Sequence, residues 1–97
     1  MVLEIAQYTA QLGKADELQT GLLRAVEVIR RAKGCVSATP RRQVEDPDRF
    51  VVTIEWETLD DHLVGFRGSP QFQEYRSHLT GLFVDPIVAL HYLEVGA

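Results

Sequence analysis

The sequence predicts an α+β fold, in which a four-stranded antiparallel sheet carries helices on one face in the order β-α-β-β-α-β. Three observations support this fold. One long segment has apolar residues at helical spacing, four shorter segments are rich in strand formers, and a polar turn joins the middle two strands. The length of 97 residues suits one domain, so we expect a single domain over residues 1–97.

The first strand and a long helix occupy the N-terminal third of the sequence. Residues 2–10 are rich in strand formers and carry apolar side chains on both alternating faces, which predicts a strand covered on both sides. Residues 14–33 contain one apolar stripe with steps of four, four and three residues, which indicates an amphipathic helix. The stripe consists of Leu18, Leu22, Val26 and Ile29. Gly34 is expected to end this helix.

A hairpin is predicted in the middle of the chain. Residues 35–44 form its first strand, and Pro40, which has no amide donor, predicts a sheet edge or a bulge. Residues 45–48 have turn chemistry, and the second strand covers residues 50–57. Trp56 shares one face of this strand with other large apolar residues, so that face should belong to the core.

Two helical segments and a strand complete the chain. Residues 58–61 have the spacing of a capping box, so a short helix should begin there and end at Gly68. The pair at 69–70, a serine before a proline, signals a new helix that should end before Pro86. Residues 87–95 are expected to form the last strand, again with apolar residues on both faces.

The element order is that of ferredoxin-like folds, in which helices cover only one face of the sheet. The first and last strands are nevertheless apolar on both faces. In a monomer the helix-free face would be a hydrophobic patch, so we expect two copies to pack sheet to sheet as a homodimer. A monomer with a solvated sheet face is the alternative.

Composition and charge narrow the class of protein. A net charge of −4 with scattered basic residues argues against nucleic-acid binding. No segment approaches the roughly 18–20 apolar residues that span a bilayer, and the start does not resemble a signal peptide, so we expect a cytoplasmic protein without membrane contact. A single cysteine, Cys35, suits a reducing compartment. Three dispersed histidines and the absence of a phosphate-binding glycine motif lead us to expect no metal and no cofactor.

A candidate catalytic residue lies on the short helix. Leu59, Leu63 and Phe66 mark its buried side by their spacing, and His62 lies near the edge of that side. A histidine in this position can point into a pocket, although a hydrogen-bonded packing residue is the simpler interpretation.

Other side chains could complete a pocket between the sheet and the helices. Arg76 lies near the rim of the apolar side of the next helix, and Trp56 faces the same layer from the hairpin. The simpler interpretations are a surface arginine and a core tryptophan. Further candidates for the wall of the pocket are Phe66, Phe72, Tyr75, Tyr8 and His91. His91 could instead belong to the dimer interface.

Three motifs lie at the hairpin turn, at the end of the second hairpin strand and at the start of the last helix. They are Glu45-Asp46-Pro47-Asp48-Arg49-Phe50, Ile54-Glu55-Trp56-Glu57 and Phe66-Arg67-Gly68-Ser69-Pro70-Gln71-Phe72. In these motifs and in element order the chain resembles the antibiotic biosynthesis monooxygenase domains, which form dimeric α+β barrels. In the cofactor-free anthrone oxygenases of that family a tryptophan and an arginine twenty positions later contribute to the pocket, which the resemblance places at Trp56 and Arg76. His62 falls where those enzymes look to carry a tyrosine.

The resemblance does not extend to haem degradation. Haem-degrading members use a histidine nine or ten residues after the tryptophan, where this chain has Gly65 and Phe66. They also use an asparagine on the first strand, where this chain offers Gln7.

The leading hypothesis is a cofactor-independent monooxygenase that uses O2 to oxidise a phenolic or quinol-like aromatic of polyketide type. Such a substrate can donate an electron to oxygen once ionised, so the protein need only enclose it, take a proton and stabilise the anion. We assign catalytic roles to His62 as base, Arg76 as the partner of the anion and Trp56 as a stacking wall. A polyketide cyclase and a non-enzymatic dimeric ligand-binding or stress-associated domain remain alternatives.

Overall fold

In the computed structural model, which describes residues 1–96, four antiparallel strands form one sheet. The strands are β1 (Val2–Ala10), β2 (Cys35–Arg42), β3 (Arg49–Trp56) and β4 (Phe83–Tyr92), in the spatial order β2-β3-β1-β4. The helical segments are α1 (Ala15–Ile29), a π-helical turn (Asp61–Phe66) and α2 (Pro70–Ser77). The predicted fold is therefore confirmed, and Pro40 lies on an edge strand as expected.

The hydrophobic core lies between the sheet and the helices. Side chains alternate across a strand, so every second residue of β3, from Phe50 to Trp56, points to the helices and is buried. The predicted stripe of α1 packs on this face and is buried along its whole length. These two surfaces fix the position of the helix-covered face of the sheet, which carries part of the candidate site.

α1 ends at Ile29, earlier than the predicted end at Lys33. A tighter turn follows, in which the amide of Ala32 donates to the carbonyl of Ile29 at 3.0 Å. Gly34 has a φ of +84°, a left-handed conformation that glycine adopts at little cost. Gly34 thus ends the connection to β2 rather than the helix itself.

The last strand begins earlier than the sequence predicted. β4 starts at Phe83 and includes Pro86, whereas the prediction was a helix up to Pro86 and a strand over residues 87–95. β4 is an edge strand that pairs only with β1, and the register shifts between Gln7 and Thr9. An edge strand tolerates proline because one of its sides has no ladder partner, and a bulge relaxes the pairing further.

The π-helical turn begins at the predicted capping residues. The amide of Asp61 donates to the hydroxyl of Thr58 at 3.1 Å, and the carboxylate of Asp61 accepts from the amide of Thr58 at 3.2 Å. The amide of Arg67 reaches back five residues to the carbonyl of His62 at 3.1 Å. This wider turn buries His62 with Phe66, while Leu59 and Leu63, predicted to be buried, are 40% and 37% exposed.

The opposite surface of the sheet carries no helix and forms what we call the helix-free face. Its apolar half is formed by residues of β1 and β4, namely Leu3, Ile5, Val88, Leu90 and Tyr92. Its polar half lies over β2 and β3, where Thr39 pairs with Thr53 and Ser37 pairs with Glu55. Within residues 1–96, no helix has both the length and the apolar character needed to cross a membrane.

Candidate active site

A cavity of about 630 Å³ lies between the helix-covered face of the sheet and the segment from the π-helical turn to α2. Most of its wall is apolar. The ring of Phe66 meets Phe72 and Tyr75 edge to face, with ring centroids 5.6 Å and 5.8 Å apart. The volume is typical of small-molecule sites, which span roughly 300–1,000 Å³, and the aromatic wall suits a planar ligand.

The cavity wall contains a buried carboxylate, that of Glu4 on β1. β1 directs Glu4 toward the helices together with Ala6 and Tyr8, because the three residues alternate along the strand. Oε1 of Glu4 accepts a hydrogen bond from Nε1 of Trp56 at 2.9 Å and lies 3.4 Å from Nε2 of His62. The carboxylate is therefore held in place by two different elements.

His62 lies between Glu4 and His91. Its ring stacks on Trp56, with centroids 5.2 Å apart and planes inclined by 15°. Its Nδ1 lies 2.8 Å from Nε2 of His91 on β4. Because a neutral imidazole has one N–H and one lone pair, one histidine donates to the other. Glu4, His62 and His91 thus form a continuous chain of polar groups that leads from the cavity to the half-buried His91.

Burial and nearby charge set the protonation of this chain. Burial, followed by the charges of Arg67 and His91, lowers the pKa of His62 to about 4. Burial raises the pKa of Glu4, although the Trp56 hydrogen bond and the charge of Arg67 act in the opposite direction. Burial and Arg67 also lower the pKa of His91. His62 is therefore neutral at pH 7, and Glu4 retains a proton to higher pH than an ordinary glutamate.

The same three residues offer nitrogen and oxygen atoms that lie within 4.8 Å of one another, a spacing compatible with a metal ion. Two features do not suit a cation. The ring nitrogens of His62 face different partners instead of one common point. Arg67 brings a positive charge that acts on all three groups. The arrangement therefore fits proton transfer better than metal coordination. The sequence did not reveal this grouping, because its members come from three distant segments.

A second polar point on the wall is a pair of tyrosines. The hydroxyl oxygens of Tyr8 and Tyr75 are 2.6 Å apart, so one hydroxyl donates to the other. Burial raises the pKa of Tyr8 to about 12 and raises the pKa of Tyr75 well above its ordinary value. Both hydroxyls stay protonated at neutral pH. The accepting tyrosine keeps its own proton, which it can donate to a ligand oxygen.

Two guanidinium groups border the cavity. Arg76 lies over the ring of Phe72, with 5.6 Å between its Cζ and the ring centroid. Arg67 also lines the wall. Both residues are exposed, so they keep their charge in contact with solvent and favour an anionic ligand at the mouth of the cavity.

Most of the predicted site residues reach the cavity wall. These are His62, Arg76, Phe66, Phe72, Tyr75 and Tyr8. Trp56 does not line the wall, since it is fully buried behind His62 and binds Glu4. His91 does not line it either and contacts the site through His62.

Sequence reasoning missed Glu4 and Arg67. A signal for Glu4 was present, because the residue occupies an alternate position of the first strand between Val2 and Ala6, on a face that is otherwise apolar. A carboxylate on such a face is rarely buried without a partner. Arg67 gave no comparable signal, since only the fold brings its charge near the buried residues.

Comparison with known proteins agrees with the fold and identifies the family. The family described as antibiotic biosynthesis monooxygenase matches residues 1–77. The uncharacterized protein YczJ of Bacillus subtilis (strain 168) is 30% identical over 95 residues, which is 98% of this chain and 100% of YczJ. A crystal structure from Bordetella bronchiseptica, of a candidate antibiotic biosynthesis monooxygenase, has a TM-score of 0.90 at 34% identity and covers 97% of this chain and 96% of its own.

The fold is also shared with SnoaB of Streptomyces nogalater, described as a cofactor-independent oxygenase. The TM-score is 0.83 at 18% identity, with 99% of this chain and 94% of the SnoaB chain covered.

Proposed function

Because the chain belongs to the antibiotic biosynthesis monooxygenase family, we propose that it is a cofactor-independent monooxygenase that oxidises a phenolic or quinol-like aromatic molecule of polyketide type. The observation that supports this most is the aromatic cavity of about 630 Å³ with a buried proton acceptor in its wall. The shared fold with the oxygenase SnoaB supports it further.

The proposed chemistry needs only oxygen and the substrate. In an anthrone, two C–H bonds are replaced by a C=O bond, so one oxygen atom of O2 enters the product and the other leaves as water with both hydrogens. The ionised substrate supplies the electrons that reduce O2. The protein contributes enclosure, proton transfer and stabilisation of the anion, each of which this cavity can provide.

Each part of the cavity has a proposed task. Phe66 and Phe72 hold the planar ring by aromatic contacts, while Trp56 supports His62 from behind. The hydroxyl pair of Tyr8 and Tyr75 binds a substrate oxygen. Arg76, at the rim, stabilises the negative charge that develops on the substrate.

Proton removal is assigned to the part of the cavity wall that includes His62. This histidine remains neutral at pH 7 because its pKa is lowered to about 4. A neutral ring has one N–H and one lone pair, so His62 can join Glu4 on one side to His91 on the other during proton removal.

The proposal also includes a homodimer in the cytoplasm. The apolar half of the helix-free face supports the dimer, since a second copy would cover it. The free thiol of Cys35 supports a reducing compartment.

The test is turnover of a dithranol-like anthrone in air by purified protein without flavin, haem or added metal. Oxygen uptake and formation of the quinone should require the protein, and one ¹⁸O atom from ¹⁸O2 should appear in the product. His62→Ala should lower kcat by about 10², the low end of a general-base contribution, and Arg76→Gln should lower it most at low pH, where the substrate ionises with more difficulty. Tight binding of the anthrone without oxygen uptake would instead indicate a ligand-binding protein, and a product that gains no oxygen would indicate a cyclase.

A further inference from the structure

We propose that Glu4 is the catalytic base that takes the substrate's proton, and that His62 and His91 are positioning residues that hold its carboxylate ready. This inference rests on the proposed oxygenase function and identifies the group that carries the proton. Neither the family resemblance nor the sequence motifs assign Glu4 a role.

The two carboxylate oxygens of Glu4 have different surroundings. Oε1 makes both described contacts, with Nε1 of Trp56 at 2.9 Å and Nε2 of His62 at 3.4 Å. Over residues 1–96 no fully buried side-chain oxygen or nitrogen lacks a hydrogen-bond partner. Oε2 has no such partner, so it is not fully buried, and because Glu4 lines the cavity we place this oxygen at the cavity wall.

His62 is less suited to meet the substrate directly. Its Nδ1 is hydrogen-bonded to His91 at 2.8 Å, and its Nε2 lies 3.4 Å from Oε1 of Glu4, so the carboxylate is the nearest partner of the second nitrogen. The hydrogen positions follow from this network when Glu4 is ionised. Nε2–H of His62 points to the carboxylate, and Nδ1 of His62 accepts from Nε2–H of His91. This assignment stabilises an ionised Glu4 without placing a charge on His62.

The electrostatics of the site agree with these roles. Burial raises the pKa of Glu4 and lowers the pKa of His62, so the carboxylate is a stronger base than an exposed glutamate and the imidazole is a weaker base than an exposed histidine. The positive charge of Arg67 acts on both groups and favours an ionised Glu4 and a neutral His62. The other titratable groups whose pKa values respond to the charge of Glu4 are Tyr8, Tyr75 and Cys35.

The proposed step balances without any redox change in the protein. A C–H or O–H bond of the substrate breaks, an O–H bond forms at Oε2 of Glu4, and the negative charge moves from the carboxylate to the substrate. The substrate anion then reduces O2 and forms a C–O bond, and the peroxide recovers the proton from Glu4. In an anthrone, removal of the second C–H proton by Glu4 forms the C=O bond and breaks the O–O bond, and hydroxide leaves as water with that proton.

The first test is steady-state turnover of dithranol by Glu4→Gln, which keeps the shape and the bond to Trp56 but cannot take a proton. We expect kcat at pH 7 to fall by about 10² or more, with KM changed by less than about threefold. The acid limb of the pH profile of kcat/KM should disappear in the variant. Glu4→Asp, which keeps a carboxylate, should retain that limb and lose less activity, so it decides the matter if the glutamine variant folds poorly.

The positioning role of His91 is tested by a pair of variants. The amide introduced by His91→Gln can still donate to Nδ1 of His62, whereas the ring introduced by His91→Phe cannot. His91→Phe should therefore lower kcat by about tenfold, and His91→Gln should retain most of the parental activity. The matched control is His78→Phe, which changes a histidine outside the cavity wall and should leave turnover unchanged. Equal activity of both His91 variants would overturn this role.

The proposed arrangement of Glu4, His62 and His91 can also be tested without substrate. Ring ¹⁵N shifts should show His62 as the Nε2–H tautomer at neutral pH and should report the titration of Glu4, and that step should vanish in Glu4→Gln. The Nδ1–H tautomer, or an unchanged titration in the variant, would overturn the inference. Full turnover by Glu4→Gln would overturn it while leaving the oxygenase function standing, whereas a parent protein that oxidises no anthrone removes the proposed function itself.

Discussion

At the residue scale, the neutral state of His62 has a consequence for stability. The residue is 4% exposed and is bordered by Glu4, His91 and the charge of Arg67. In the unfolded chain a histidine titrates near pH 6.5, whereas in the folded protein the pKa of His62 is lowered to about 4. Between these values the unfolded state binds more protons, so His62 makes the free energy of unfolding fall as the pH is lowered through this window.

We therefore expect the substitution His62→Gln to reduce the acid sensitivity of folding. At pH 7 the variant should be less stable, because the stacking on Trp56 is lost. As the pH falls to about 4 the difference should shrink by about 3 kcal/mol, from a shift of about 2.5 units at 1.36 kcal/mol each. Urea unfolding of both proteins across pH 4 to 7 measures this. The raised pKa of Glu4 makes the free energy of unfolding rise as the pH is lowered, but this contribution is present in both proteins and cancels in the difference. A constant difference across that range would contradict the assigned pKa shift.

The candidate site was predictable where a residue type and its spacing carry the signal. His62 and Arg76 were identified because a polar group beside an apolar helical stripe is visible in the sequence. The chain of polar groups formed by Glu4, His62 and His91 could not be predicted, since its contacts join β1, the π-helical turn and β4. Periodicity assigns residues to faces, whereas these distances depend on how three separate elements pack.

At the element scale, α1 approaches the end of α2 closely at Gly21. A Cβ atom at this position would lie 2.5 Å from the carbonyl oxygen of His78. This oxygen belongs to the backbone, so a change of side-chain rotamer cannot relieve the clash. Glycine usually weakens a helix by about 1 kcal/mol relative to alanine. At this crossing the missing side chain is what allows the two segments to pack.

The same substitution should therefore change the free energy of unfolding differently at two glycines. Gly21→Ala should lower the free energy of unfolding by about 1–3 kcal/mol, because the backbone of the following segment must shift. Gly65→Ala is the matched control, since its Cβ would meet only the carbonyl oxygen of Asp60 at 3.8 Å, and it should be neutral or stabilising by up to about 1 kcal/mol. Chemical denaturation compares the two variants. A stabilised Gly21→Ala protein would show that the crossing is not tight.

The element boundaries show where sequence patterns lose information. The stripe of α1 predicts the helix correctly up to Ile29, but glycine marks the end of a connection as readily as the end of a helix. Pro86 suggests a barrier between elements, although an edge strand accepts proline on its unpaired side. Both errors arise because the same residue is compatible with two local structures and only the sheet decides between them.

At the scale of the whole molecule, the helix-free face is divided into two unlike halves. The apolar half over β1 and β4 includes Val88, Leu90 and Tyr92, which are 41%, 49% and 44% exposed. The polar half over β2 and β3 carries hydrogen-bonded side chains such as Arg41 with Thr53 at 2.9 Å. Contact between two copies should therefore be centred on β1 and β4, with the polar half at the rim, as in interfaces with an apolar core.

This arrangement predicts a dimer that depends on the apolar half of the helix-free face. Sedimentation at micromolar concentration should give a mass near twice 10.9 kDa for the parent protein. Leu90→Asp should shift the protein to monomer or impair its folding, because a carboxylate would be buried without a partner in the interface. Leu12→Asp is the matched control, since Leu12 is 96% exposed in the connection after β1, and it should remain a dimer of parental stability. A parent protein that sediments as a well-folded monomer would contradict the dimer, and Leu90→Asp that stays dimeric would place the interface elsewhere.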